Sequence, residues 1–420
     1  MIPAPPAAPR TQADRLGPRE FVAMMALMMA LNALAIDAML PALPQIAGEL
    51  GAPTANAQQR IITLYFVGLG IGSLIHGPLA DRFGRRPVIL VSLVGYIVAA
   101  LASAFAPTWE TMLGMRFLHG LMAAAMGVVA TAVVRDRSSG DAMAKMMSLI
   151  FLIFMVVPIV APTLGQGILS IATWPAIFGF LAIMGSVMLV WIGLRLPETM
   201  KPEDQRPLAL RPLLGVWRQV ATHRTALAYT AASSIAIGAN FGFLNSAQQI
   251  IARTFGAGAI FPYVFAIVAA GIAAANFTNS RLVMRFGARR VSHTAIIAFI
   301  VFSCVQLLFA IVGESLWLFV GIVTLNMAMM GFIGANSSSI AMEPFGREAG
   351  SASSFQNSVR TLLSAAVGAI IGGAYDGTTV PLAVGYLIAG IVALAALLWG
   401  ERGRLFTRPN PPHRPLPRAP

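Results

Sequence analysis

Residues 77–87 read Gly-Pro-Leu-Ala-Asp-Arg-Phe-Gly-Arg-Arg-Pro, or GPLADRFGRRP. One acid, three arginines and a turn glycine are packed between two long apolar runs. About twenty uncharged residues end at Ala80, and a second run of similar length begins at Pro87; each is enough to cross a hydrocarbon core of roughly 30 Å as a helix. The stretch therefore joins two membrane spans, and the rest of the chain is placed relative to it.

Working outward, comparable apolar runs lie at 20–41, 57–80, 87–107, 109–134, 143–168, 174–196, 224–252, 259–280, 287–311, 316–340, 349–373 and 378–400. They predict an all-α membrane protein of twelve transmembrane helices. The longest connection, 197–223, is richer in charge and proline than its surroundings and divides the spans six and six. The expected organisation is a tail (1–19), an N-terminal six-helix bundle (20–196), a linker (197–223), a C-terminal six-helix bundle (224–400) and a Pro/Arg-rich tail (401–420). The first fifteen residues lack the short apolar core and cleavage site of a secretory signal.

Composition agrees. The chain is 57% hydrophobic and only 11% charged, with mean hydropathy +0.76, unlike a soluble domain. Its net charge of +13 does not imply nucleic acid, because aromatic and basic residues do not interleave in any soluble block. The cations report topology instead. Apart from Arg60, Arg253 and the intramembrane Arg116 and Arg360, Lys and Arg fall in segments on one side of the spans, which places both termini in the cytoplasm. The single cysteine, Cys304, lies in an apolar run and reads as packing. No phosphate-binding glycine loop, metal-spaced cluster or Ser/His/Asp constellation is recognisable, so an enzyme, an ATP-driven pump and a cofactor are not expected.

The halves repeat. SRLVMRFGARR, residues 280–290, matches the opening stretch when Gly287 is laid on Gly84, with Leu282 on Leu79, Arg285 on Arg82 and Phe286 on Phe83; Met284 replaces Asp81. Two pseudo-symmetric halves point to a duplicated transporter with its site at the half interface.

These residues resemble the major facilitator superfamily. Gly77 to Arg86 looks like its motif A, Arg116-Phe-Leu-His119-Gly120 resembles R-x-x-Q-G with histidine for glutamine, and Ala161 to Gly167 is similar to the G-P-x-x-G-G antiporter motif. Asp37-Ala-Met-Leu-Pro-Ala-Leu-Pro44 resembles the D-x-x-L-P-A-L-P signature of the bicyclomycin and chloramphenicol resistance (Bcr/CflA) drug exporters. The resemblance implies a multidrug efflux antiporter of a bacterial inner membrane, acting as a monomer on small molecules and protons by alternating access. A proton-coupled uptake carrier and a nontransporting receptor on the same scaffold are the alternatives.

The chemistry is sought in the intramembrane charges. Asp37, in the first span, and Arg116, in the fourth, lie at similar depth toward the outer face and are expected to face each other or a cavity, since charge in hydrocarbon is costly. Asp37 either couples proton entry to substrate exit or only caps and snorkels; His119 is a second proton carrier or a packing residue. Asn32, Asn240, Asn245, Gln248, Gln356, Asn357 and Arg360 are the candidate cavity lining, with interhelical bonding as the other reading. Pro158, Pro162, Gly165 and Gly167 predict a kinked, closely packed fifth span, unless they are ordinary membrane-helix residues. In the motif A set of Gly77, Asp81, Arg82, Gly84, Arg85, Arg86 and Asp136, Asp81 is expected to latch the start of span eleven near Gly350 and Ser351, with Arg85 paired to Asp136.

Overall fold

The computed structural model describes residues 16–138, 140–200, 203, 205 and 210–407; both expected tails fall largely outside these. Fifteen α-helices follow one another: α1 Pro18–Asp37, α2 Leu43–Glu49, α3 Arg60–Phe83, α4 Arg85–Ala104, α5 Trp109–Arg137, α6 Gly140–Phe154, α7 Val157–Leu169, α8 Pro175–Arg195, α9 Leu210–Thr222, α10 Arg224–Gln249, α11 Phe261–Phe286, α12 Ala288–Val312, α13 Leu316–Met342, α14 Ala349–Gly373 and α15 Val380–Gly400. Among the described residues there is no strand.

Among the described residues eleven helical segments are long and apolar enough to span a membrane. The remaining expected span, 349–373, is present as the 25-residue α14, but it is not one of the eleven. Its first half, AGSASSFQNSVRT, carries the polar residues that set it apart.

The opening stretch is helical on both sides of its turn glycine. Gly77 to Phe83 forms the last two turns of α3, and α4 starts at Arg85, so Gly84 alone makes the corner. Its backbone sits at φ 100°, ψ 158°, a region an L-residue avoids. Gly287 makes the matching corner between α11 and α12 at φ 85°, ψ 151°. The sequence repeat is thus a repeated backbone device. We call the end of the bundle that carries both glycines the basic end, and the other the distal end.

The fifth span is broken. α6 stops at Phe154 and α7 starts at Val157, just before Pro158, which has no N–H to continue the ladder. The segment 197–223, read as linker, contains the helix α9, whose Trp217 stacks on Phe355 of α14 at 5.7 Å. Helices α1 to α8 pack chiefly on one another, as do α10 to α15. Two seams join these groups: α3 against α14, and α7 against α11. Along the first seam Ser358 Oγ donates to Gly70 O at 2.6 Å.

Candidate functional site

Asp37 is the last residue of α1 and only 6% exposed, so it does not snorkel to a surface. It makes no ion pair with Arg116. The guanidinium turns elsewhere: Nη2 donates to Ala35 O at 3.1 Å, Nη1 donates to His119 Nδ1 at 3.0 Å, Cζ lies 4.5 Å from the Tyr65 ring centroid, and Nε is buried without a partner. The reason is the end of α1. The last carbonyls of a helix have no intrahelical donor, and Ala35 is among them, so the buried arginine satisfies backbone rather than carboxylate. Among the described residues no hydrogen bond or ion pair reaches the Asp37 carboxylate.

His119 accepts from Arg116, which puts its ring proton on Nε2, a buried atom without a partner. Its ring packs edge-on against Tyr96 at 4.2 Å and Tyr65 at 5.5 Å. Glycines close the surrounding packing. A Cβ on Gly120 would stand 1.9 Å from Tyr65 O, and one on Gly165 would stand 1.8 Å from Ala38 O. Gly165 thereby presses α7 onto the residue that follows Asp37. Gly167 faces open space, and Pro162 is buried inside α7.

At the basic end Arg85 is the centre of the motif. Its side chain is 7% exposed; Nη1 meets Asp81 Oδ1 at 2.5 Å and Nε meets Asp136 Oδ2 at 3.0 Å. Among the described residues the Asp81 carboxylate is paired with Arg85. Asp81 and Ser351 of α14 line the same cavity, and Gly77 faces Ser354. Arg86 Nη2 donates to Gly193 O at 2.6 Å, and Arg82 lies in the last turn of α3. Glu198 supplies a cap that the sequence reading missed, accepting from the backbone N–H of Arg85 at 3.0 Å and of Arg86 at 3.1 Å. In the second half Arg289 takes the bridging role, reaching Glu343 at 2.9 Å and Glu401 at 3.0 Å.

A cavity of about 550 Å³ runs between the two helix groups and reaches Asp81, Arg85 and Arg135 at the basic end. Of the expected lining, Asn32, Gln356, Asn357 and Arg360 face it. Asn240, Asn245 and Gln248 do not. They sit some sixteen or more residues along α10, roughly 24 Å or more from its start, beyond the point where the halves have closed. There Phe66 of α3 stacks on Phe241 of α10 at 4.0 Å.

The distal end is held by amides. Gln59 Nε2 donates to Gln249 Oε1 and to Gly372 O, both at 2.8 Å. Gln249 Nε2 donates to Asn56 Oδ1 at 3.0 Å, and Asn56 Nδ2 donates to Tyr375 O at 2.7 Å. Outside this closure Arg253 and Asp376 line a shallow recess, where hydrogen bonds from Thr378 hold the Asp376 carboxyl below its ordinary range.

The family model described as Major Facilitator Superfamily matches residues 25–368 and 230–420. The chain belongs to the major facilitator superfamily. It is a multi-pass membrane transporter of small molecules, not an enzyme. Within the superfamily it is similar to the uncharacterized MFS-type transporter YdgK of Bacillus subtilis (strain 168), 31% identical over 92% of this chain and 96% of that protein. It is also similar to a bicyclomycin resistance protein homolog of Haemophilus influenzae, 28% identical over 86% of this chain and 91% of the relative. The multidrug resistance protein MdtL of Escherichia coli O81 is 37% identical over 165 residues, 39% of this chain and 42% of MdtL. Among solved structures the human organic anion transporter MFSD10 (TETRAN) superposes with TM-score 0.65 at 19% identity over 91% of this chain and 99% of that one. That likeness shows the major facilitator fold alone.

Several residues of this major facilitator architecture escaped the sequence reading. Tyr65 joins Arg116 to the cavity, since its hydroxyl donates to Asn32 Oδ1 at 3.1 Å. Asn56 and Gln59 carry the distal closure, and the only sequence signal was an unusually polar start, NAQQR, to an apolar run.

Proposed function

We propose that this transporter exports small amphipathic compounds in exchange for protons, and that Asp37 is the proton carrier. The observation that carries the reading is a buried carboxyl with no cation beside it, at the end of a membrane helix. Burying a carboxylate unpaired is costly, so a change in its surroundings changes its proton occupancy. Gly165 couples that change to the fold: α7 touches Ala38 through it, and α7 forms one of the two seams between the halves. Gain or loss of the proton then bears directly on how α7 sits against α11, which is the movement alternating access requires.

The names of two relatives, bicyclomycin resistance protein homolog and multidrug resistance protein, support export of drug-like compounds. In this reading the basic end faces the cytoplasm of a bacterial inner membrane, both termini lie inside, and α14 is the twelfth span. The structure then corresponds to an inward-open state. The working unit is a monomer driven by the proton gradient without a cofactor. Everted vesicles carrying the wild type and Asp37→Asn test it. The wild type should release protons on substrate addition, and Asp37→Asn, inserted at equal level, should not; undiminished exchange in the variant removes Asp37 from the mechanism.

A further inference from the structure

The deep part of the cavity is rich in hydrogen-bond donors and short of free acceptors. Arg360 presents its guanidinium there, and among the described residues no carboxylate is within ion-pair distance of it. Its Nη2 donates to Asn357 Oδ1 at 2.7 Å, which fixes the fork. One helical turn earlier, Gln356 is 2% exposed; its Oε1 accepts from Ser338 Oγ at 3.2 Å, while its Nε2 has no partner. The Ser73 hydroxyl is spent on Leu69 O at 2.8 Å. The carboxylate that lines the cavity, Asp81, is at the mouth and tied to Arg85. Asp37 does not line the cavity.

A guanidinium kept in a membrane cavity without a counter-charge is costly, and a ligand that brings negative oxygen offsets that cost. A planar fork of N–H groups also matches the two oxygens of an acid group better than a point cation does. We infer that the cavity selects amphipathic organic acids: compounds with one carboxylate or sulfonate, whose oxygens accept from Arg360 and the unpartnered Gln356 amide, and whose apolar body packs on Met29 and Leu69. The inference deepens the export reading for the same site and depends on it only for the direction of movement. Asn357 is a positioning residue that aims Arg360.

The test is equilibrium binding to the purified full-length protein with two matched pairs: naphthalene-2-sulfonate against its neutral sulfonamide, and octanoate against octanamide. The sulfonate is ionised throughout the working pH range, so its binding reads charge and not titration of the ligand. Expected are at least tenfold tighter binding of each acid than of its amide, loss of that preference in Arg360→Gln, and partial retention in Arg360→Lys. Gln356→Leu, checked for an unchanged melting temperature, should weaken the acids threefold or more and narrow their preference over the amides; it serves if Arg360→Gln does not fold. Equal or tighter binding of the amides, binding of neither pair by folded wild type, or an acid preference that survives in a folded Arg360→Gln overturns the assignment. Flux in oriented vesicles separates the two readings. A protein that binds and imports acids keeps this assignment and sinks export, whereas one that exports only neutral compounds does the reverse.

Discussion

At the scale of single residues, Arg116 does three things that no other side chain does together. It bonds the Ala35 carbonyl, donates to His119 and covers the Tyr65 ring. Lysine carries the charge but not the planar fork, so Arg116→Lys should leave one of those bonds unmade and cost about 1.5–3 kcal/mol. The check is a fall in melting temperature of the purified protein, with Tyr65→Phe as the milder comparison at about 1 kcal/mol for its single bond to Asn32. Arg85 invites a cycle of its own. Asp136→Asn leaves Arg85 one carboxylate, while Arg85→Gln leaves Asp81 and Asp136 facing each other without a cation, so the arginine variant should be the less stable of the two. The intramembrane charges were legible in the sequence because charge is rare there. Their partners were not. Counting residues along a helix gives depth but not direction around the axis, and the acceptor that captured Arg116 is a backbone carbonyl that belongs to no residue type.

At the scale of elements, the fifth span offers a paired test. A methyl on Gly165 would meet the Ala38 carbonyl, whereas one on Gly167 meets nothing within 4 Å. Gly165→Ala should therefore lower transport at least tenfold, and Gly167→Ala should behave as wild type in the same flux measurement. The corner glycine has a different sensitivity. Gly84→Ala puts a side chain at φ 100°, with its Cβ 2.6 Å from Glu198 Oε2, and should cost more than the roughly 1–2 kcal/mol of the backbone strain alone, read as a lower melting temperature. The break before Pro158 and the two glycine corners could be read in advance, because proline and glycine act through the backbone. The helical state of Asp81–Phe83, beyond the expected end of the span at Ala80, could not. A helix end at an interface tolerates such a charged composition, and Arg85 is held between Asp81 of α3 and Asp136 of α5.

At the scale of the whole molecule, the two groups of helices meet along two seams and close at the distal end, with the cavity reaching the basic end. Cysteines at positions 59 and 249, in a background with Cys304→Ser, should be joined by a short bis-methanethiosulfonate reagent. Joining them should stop flux, and reducing the link should restore it; full flux with the link intact would mean that the distal end need not open. Hydropathy averages over many residues, and of the twelve spans it led one to expect, eleven are long and apolar enough among the described residues. The closure was invisible because it joins residues 190 to 319 apart in sequence through amides that are unremarkable one by one. One property of that closure reaches further. The side chains that bond across it, Asn56, Gln59 and Gln249, carry no charge. An electric field acts on charge, at about 2.3 kcal/mol for each elementary charge carried through 100 mV. Parting these amides moves none, so membrane voltage has no handle on the bonds themselves, and the charges at the distal end on which it can act are Arg253 and Asp376, which line the recess outside them.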